Sequence, residues 1–410
     1  MKKEASMAYM DIDIHKNKES KAMLKEVDKF TREVMRPAGI ELDKLSDPAD
    51  VIEENSLLWE VLKTFRALDL HQIDIPKDLG GMSDLDWMAP LLIKERMGHA
   101  DAGLAIGMMA SSLPFQYAAT SNSPVLQQMV RDYCEDRECT MIGCWAPMET
   151  VWKSGGSATD NNSSRKSPVK AVLNKDRLIL NGELTKISNA TIATHALISF
   201  EFEVSGQTEE SGVAMVPLDL PGVSRGTPLN KMGQRTLNQG TIGFQNVEIP
   251  VEYMLAKDHS AANEMSRSLN VGTNLNLGIV FAGLSLAAFD EALNYSKMRI
   301  QGGVPIFSHR NIKLQLFKMF ALVESVRANA RRLANYASEN PNSPSEAHAA
   351  AAKCLSTETA INISSEAIQI FGGNGLAKEY PLEKIFRDAQ TSLVEHGIND
   401  VMAIKSANHL

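Results

Sequence analysis

Apolar side chains recur at three- and four-residue intervals in the first third of the chain and again in the last third. Met23, Leu24, Val27, Phe30 and Val34 predict a helix over 21–34. Leu57, Leu58, Val61, Leu62 and Phe65 predict a second over 56–68. Pro76, Gly80 and Gly81 mark a turn at 75–81. A third helix is expected over 86–99. The Ala-, Gly-, Met- and Ser-rich stretch 100–119 reads as a segment packed closely against a neighbour.

From about residue 140 the pattern changes to β-branched residues and turns. Strands are predicted at 169–173, 177–180, 196–200, 213–216 and 241–249, with a polar loop over 153–167. Helical spacing resumes near 262, with helices predicted over 271–298, 309–337, 345–371 and close to 398–408. The apolar pattern Ile363, Ala367, Ile370, Phe371 stops at Gly372-Gly373, a pair that ends helices and admits close backbone approach. Tyr380-Pro381 opens the next segment, since proline is acceptable in a first helical turn. The sum is an α+β architecture: an N-terminal helical domain over 1–139, a middle β-barrel or sandwich over 140–258, and a C-terminal four-helix bundle over 259–410.

Composition narrows the classes. A chain of 410 residues is too long for one small core. A net charge of −8 offers no electrostatic case for nucleic acid or an anionic membrane. The four cysteines form no C-x-x-C pair, and their scarcity fits a reducing compartment better than a disulfide framework. The charged first twenty residues do not read as a secretory signal, and no apolar run reads as long enough to cross a bilayer. The cytoplasm is the expected location.

Seven phrases carry a resemblance. Gln369-Ile370-Phe371-Gly372-Gly373-Asn374-Gly375, then Lys378-Glu379-Tyr380-Pro381, then Arg387-Asp388-Ala389, resemble the C-terminal signature of acyl-CoA dehydrogenases. The segment Arg299-Ile300-Gln301-Gly302-Gly303-Val304-Pro305-Ile306 is similar to that family's R-x-Q-G-G-x-P-I. Leu180-Asn181-Gly182, Lys231-Met232-Gly233-Gln234-Arg235 and the run 244–250 are similar to its β-domain markers. The resemblance covers nearly the whole chain. It implies bound FAD, an acyl-CoA thioester substrate, an electron-transfer flavoprotein as acceptor, and a homotetramer or homodimer. Arg299 is then the residue that meets the cofactor pyrophosphate, a job suited to a planar, always-charged guanidinium. The Gln369, Gly372 and Gly373 turn is the one that reaches a neighbouring subunit's flavin.

The site itself departs from the family. On the strand that contacts the flavin ring, Met148 falls where a hydroxyl residue is usual. The family's W-I-[ST]-N reads Lys186-Ile187-Ser188-Asn189, so Lys186 replaces an aromatic wall while Ile187 and Ser188 remain as ring contacts. Counting from Arg387 and back from Gly397, His396 occupies the position of the catalytic glutamate, and Glu395 lies one residue early. Dehydrogenation removes a proton α to the thioester while a hydride leaves the β carbon. A neutral imidazole is a competent base near pH 7, and a desolvated carboxylate is another. The alternative base position, near Asn274, holds no basic group. His396 or Glu395 is the expected base. A same-fold flavoprotein with non-oxidative thioester chemistry and a non-catalytic flavin-binding subunit are the alternatives.

Overall fold

The computed structural model describes residues 18–82, 85–146, 149–150, 165–204, 208–340, 343 and 345–408. The N-terminal region is helical: α1 (Lys18–Phe30), α2 (Arg36–Asp43), α3 (Leu57–Ala67), α4 (Met88–Ala100), α5 (Ala102–Ala118) and α6 (Pro124–Glu135). Leu24, Val27 and Phe30 of α1 point into the core, as their spacing requires. The helix expected over 21–34 ends at Phe30 and passes through a wider turn, Thr31–Met35, into α2. Pro37 explains this: without an N–H it cannot close the regular hydrogen bond to the preceding turn. Ser56 caps α3 by accepting from the Leu58 amide at 3.2 Å, and Asp101 caps α5 by accepting from Leu104 at 2.8 Å.

The middle region is built on β1 (Gly143–Ala146), β2 (Glu149–Thr150), β3 (Arg165–Lys166), β4 (Val169–Asn174), β5 (Arg177–Ser188), β6 (His195–Val204), β7 (Thr208–Pro217), β8 (Val223–Arg225), β9 (Gln239–Pro250) and β10 (Met254–Ala256). Eight of these form one sheet in the order β10-β7-β6-β4-β5-β9-β8, with β1 pairing in parallel with β6. Strands β2 and β3 pair separately. Leu178, Leu180, Ile198, Phe200, Val247 and Ile249 fill its core. Strand β5 runs eight residues past the predicted end at 180. Its polar second half reads poorly as strand, yet it continues to pair with β9 as far as Ser188.

The C-terminal region comprises α7 (His259–Met298), a hairpin of β11 (Ile300–Gln301) and β12 (Val304–Pro305), then α8 (Arg310–Glu339), α9 (Glu346–Phe371), α10 (Leu382–Ser392) and α11 (Asn399–Ala407). Helix α7 is 40 residues long and, against the sequence expectation, contains a stretch apolar enough to cross a membrane by length and composition. Most of that stretch is buried among α4, α8 and α9, so its apolarity is that of a core helix. Helices α4 and α7 cross in near backbone contact. A Cβ on Gly98 would lie 2.2 Å from the Val280 carbonyl oxygen, and one on Gly283 would lie 2.1 Å from that of Glu95. Only glycine fits at this crossing.

Candidate functional site

A cleft of about 520 Å³ opens between α5, the ends of β1 and β5, the 229–239 linker, the middle of α7 and the turn after α10. Its volume lies in the range of small-molecule sites. Ile106, Met109, Leu113 and Leu277 make an apolar wall. Polar groups come from the opposite sides, and each is held by a separate local device.

The turn after α10 supplies Glu395 and His396. Leu382, Ile385 and Ala389 seat α10 on the core, and the helix ends at Ser392. His396 then adopts φ +52°. A branched or bulky side chain rarely takes this left-handed conformation, which costs roughly 1–2 kcal/mol for a residue with a Cβ. The twist lays the imidazole against the Trp145 indole, with ring centroids 5.1 Å apart and planes at 40°. Glu395 Oε2 accepts from Gln234 Nε2 at 2.9 Å. Both residues are half-buried, because the cleft is deep but open.

The linker is pressed onto α10 by a charged network. A Cβ on Gly233 would sit 2.1 Å from the Arg387 carbonyl oxygen. The Gln234 amide donates to Asp388 Oδ1. Lys384 Nζ lies 2.6 Å from both Asp388 Oδ2 and Asp101 Oδ2, and Thr236 Oγ1 donates to Asp101 Oδ1 at 2.8 Å. Arg387 pairs with Asp43 and Glu383. Residues of the helical N-terminal region, the linker and α10 therefore lock together directly behind Glu395.

Electrostatics assign protonation states. Burial, and secondly the charge of Lys353, lowers the His396 pKa to about 4, so its imidazole is neutral at physiological pH. Burial pushes the Glu395 carboxyl upward, against the Gln234 hydrogen bond and the charges of Lys231 and Lys353. Burial also draws Lys231 down to about 8, opposed by Glu395 and Asp388. Lys231 Nζ donates to the Leu237 carbonyl at 2.7 Å.

Strand β5 ends at the cleft. Its register with β9 slips between Leu184 and Ile187, and Lys186 within the slip takes φ +59°. Lys186, Ile187 and Ser188 all line the cleft, and Ser188 Oγ accepts from Gln239 Nε2 at 3.3 Å. Asn189 Nδ2 fastens this strand end by donating to the carbonyls of Gly107 at 2.8 Å and Gly143 at 3.2 Å. On α7, Thr273 and Asn276 face the cleft, and Thr273 Oγ1 is buried without a hydrogen-bond partner. Asn274 is buried beside them.

His396, Glu395, Ile187 and Ser188 are thus brought together. Met148 lies outside the described residues. Arg299, Gln369, Gly372 and Gly373 do not line the cleft; all four are exposed. They share one end of the bundle because Tyr295 stacks on Phe371 with centroids 3.9 Å apart, and its hydroxyl accepts from Asn374 Nδ2 at 3.0 Å. Sequence reasoning gave no role to Trp145, Lys231, Gln234 or Thr273. Gln234 stood inside a phrase read as a β-domain marker, and Trp145 three residues before Met148 on the strand read as contacting the flavin ring. Their roles arise only when the linker and β1 meet the turn after α10. Among the described residues no group of three or more His, Cys, Asp and Glu side chains is arranged to hold a metal.

An apolar wall, an indole, the polar edge of Ser188 and an orphaned Thr273 hydroxyl together fit a flat ring system with hydrogen-bonding edges beside an apolar chain. Comparisons with known proteins identify a family. Family models described as acyl-CoA dehydrogenase N-terminal, middle and C-terminal domains match residues 17–128, 153–247 and 265–410. The short-chain specific acyl-CoA dehydrogenase of Rattus norvegicus mitochondria is 25% identical over 383 residues, spanning 93% of this chain and 87% of that one. The butyryl-CoA dehydrogenase structure from Megasphaera elsdenii superposes with a TM-score of 0.81 at 23% identity, covering 97% of this chain and 99% of the other. A chain from the structure of the electron transferring flavoprotein of Acidaminococcus fermentans gives 0.80 at 23% identity, covering 97% and 99%.

Proposed function

This chain belongs to the acyl-CoA dehydrogenase family, and we propose that it desaturates an acyl-CoA thioester with His396 as the base. Family members are FAD-dependent oxidoreductases acting on the CH–CH bond of acyl-CoA. When bound, FAD supplies the acceptor for the hydride that leaves the β carbon. Ile187 and Ser188 would hold its ring from β5, with Lys186 beside them. A ring nitrogen of His396 takes the α proton and returns it to solvent after the enoyl-CoA has left.

The observation that carries this assignment is the backbone of His396. A left-handed residue turns its imidazole into the cleft, against Trp145, in the neutral form a base requires. Glu395 is less suited, because its carboxylate already accepts from Gln234. Its role in this reading is to hold the linker and to face Lys231.

Arg299, Gln369, Gly372 and Gly373 would complete the cofactor site of a neighbouring subunit in a homodimer or homotetramer. Their common exposed face supports this, as do the apolar side chains exposed at the same end: Met298, Ile300, Leu314, Phe317 and Leu376. Electrons would leave to an electron-transferring flavoprotein. The cytoplasm is the proposed location, in keeping with four free cysteines.

A second reading is non-oxidative chemistry on the thioester. It is favoured by Lys186 in the ring-contact segment and by a base position without a carboxylate. Anaerobic titration of the purified protein with a panel of acyl-CoA thioesters separates the two. Flavin bleaching by one thioester, retained in Glu395→Gln and lost in His396→Ala, is the expected result. A flavin that never bleaches while the thioester is consumed would establish the second reading.

A further inference from the structure

The turn that carries His396 rests on a lysine in the core. Lys353 lies on α9 with no exposed surface, a rare state for a lysine. Its Nζ donates to the Gly397 carbonyl at 2.9 Å and to Asn399 Oδ1 at 2.7 Å. Both acceptors are neutral. An ammonium hydrogen-bonded only to neutral oxygens is poorly compensated; burial draws the Lys353 pKa down, and Cys354, Glu395 and Glu358 oppose this only through space. The same stem could be packed by methionine without that cost, so stability does not account for the charge.

What the charge holds is unusual backbone. His396 and Gly397 are consecutive residues in the left-handed region, at φ +52° and +114°. Such a turn persists only where its surroundings over-determine it. One face of α9 does so. Lys353 takes the Gly397 carbonyl, Thr357 Oγ1 accepts from Asn399 Nδ2 at 2.9 Å, and Cys354 Sγ donates to the Asn399 carbonyl at 3.7 Å. From the other side, the Asn399 amide donates to the Leu393 carbonyl at 3.2 Å. Both ends of the turn are fastened, and His396 sits between them.

We propose that Lys353 is a positioning residue: its ammonium clamps the Gly397 carbonyl and the Asn399 side chain, sets the left-handed backbone that aims His396 into the cleft, and holds a positive charge behind the imidazole. Lys353 is the charge that, after burial, disfavours an imidazolium at His396. The other titratable groups facing His396 are Glu395 beside it, Lys231 on the linker and Lys186 on β5. The catalytic part of this inference rests on His396 acting as base; the clamp and its charge do not.

The test uses the flavin-loaded protein and three variants: Lys353→Gln, which keeps a donor and removes the charge; Lys353→Met, which removes both; and Asn399→Ala, which loosens the turn and keeps the charge. Carbethoxylation of His396 by diethyl pyrocarbonate, read by peptide mass spectrometry from pH 5 to 8, reports the neutral imidazole. Hydrogen exchange of the peptide spanning 394–400 reports the turn. Wild type and Asn399→Ala should label with a flat pH profile, whereas Lys353→Gln and Lys353→Met should lose labelling toward acid. Exchange should quicken in Lys353→Met and Asn399→Ala and stay slow in Lys353→Gln. Lys353→Met should lose kcat on the order of 100-fold with KM little changed, and Lys353→Gln should recover most of it at pH 8. An acid profile unchanged in Lys353→Gln, with exchange unchanged in Asn399→Ala, would overturn the proposal, and these two variants decide it even if Lys353→Met does not fold. If His396→Ala keeps full activity while the labelling and exchange changes appear, the base assignment fails and the clamp stands.

Discussion

At the scale of single residues, His396 carries the sharpest consequences. Its folded pKa of about 4 lies below the ordinary 6.5. In the proposed role of base it works deprotonated, so kcat/KM should stay level from neutrality down to about pH 5 and fall as pH drops through about 4. Stopped-flow assays with brief acid exposure check this, and the limb should survive in Glu395→Gln. Folding is linked to the same group. Because the depressed pKa is that of the folded state, its contribution to stability is full above about 6.5 and is lost progressively as pH falls toward 4. His396→Asn should therefore lose less stability than wild type between pH 7 and pH 5 in urea denaturation. Counting along the chain was enough to locate His396. It could not reveal the left-handed backbone, the indole partner or the lysine beneath. Those depend on residues 251 and 43 positions earlier that no local pattern connects to it.

At the scale of elements, the junction of the linker with α10 holds the cleft together. Lys384 is buried between Asp101 and Asp388. Lys384→Met would leave two buried carboxylates facing each other without a cation, and should cost about 3–5 kcal/mol in chemical denaturation. Regular helices and strands were legible where periodicity was strong, as in α1, α3 and the first half of β5. Misjudged boundaries have physical causes. Helix α7 begins at His259 rather than 271 because Asp258 caps it, accepting from the Ala261 amide at 2.9 Å, and because Ala262 and Leu269 bury against the sheet region. Ala262, Met265 and Leu269 give helical spacing from near 262, but the polar residues between them hide the continuity with the apolar run from 271. Pairing with β9, not its own composition, extends β5 to Ser188.

At the scale of the whole molecule, the cleft and the Arg299–Gly373 face are separate features of one chain. If the face completes a neighbour's site, two defective variants should rescue each other. Arg299→Ala and His396→Ala, each weak alone, should regain activity when co-expressed, because a mixed pair holds one intact cleft facing one intact arginine. Activity of the isolated mixed oligomer, compared with each parent, checks this. Sequence phrases pointed to both features, but only the fold separates them, since helical packing alone decides which residues share a surface.

That separation is spanned by a single rod. Thr273 on the cleft wall and Arg299 at the exposed end belong to α7 and its C-terminal cap, 26 positions and roughly 40 Å apart along an uninterrupted helix. One residue added or removed between them would turn the two ends by about 100° relative to each other. Conservative exchanges at its exposed positions leave that phase unchanged, whereas a change in residue number does not. The helix acts as a ruler that sets the phase between the pocket and the exposed Arg299 face of the same chain.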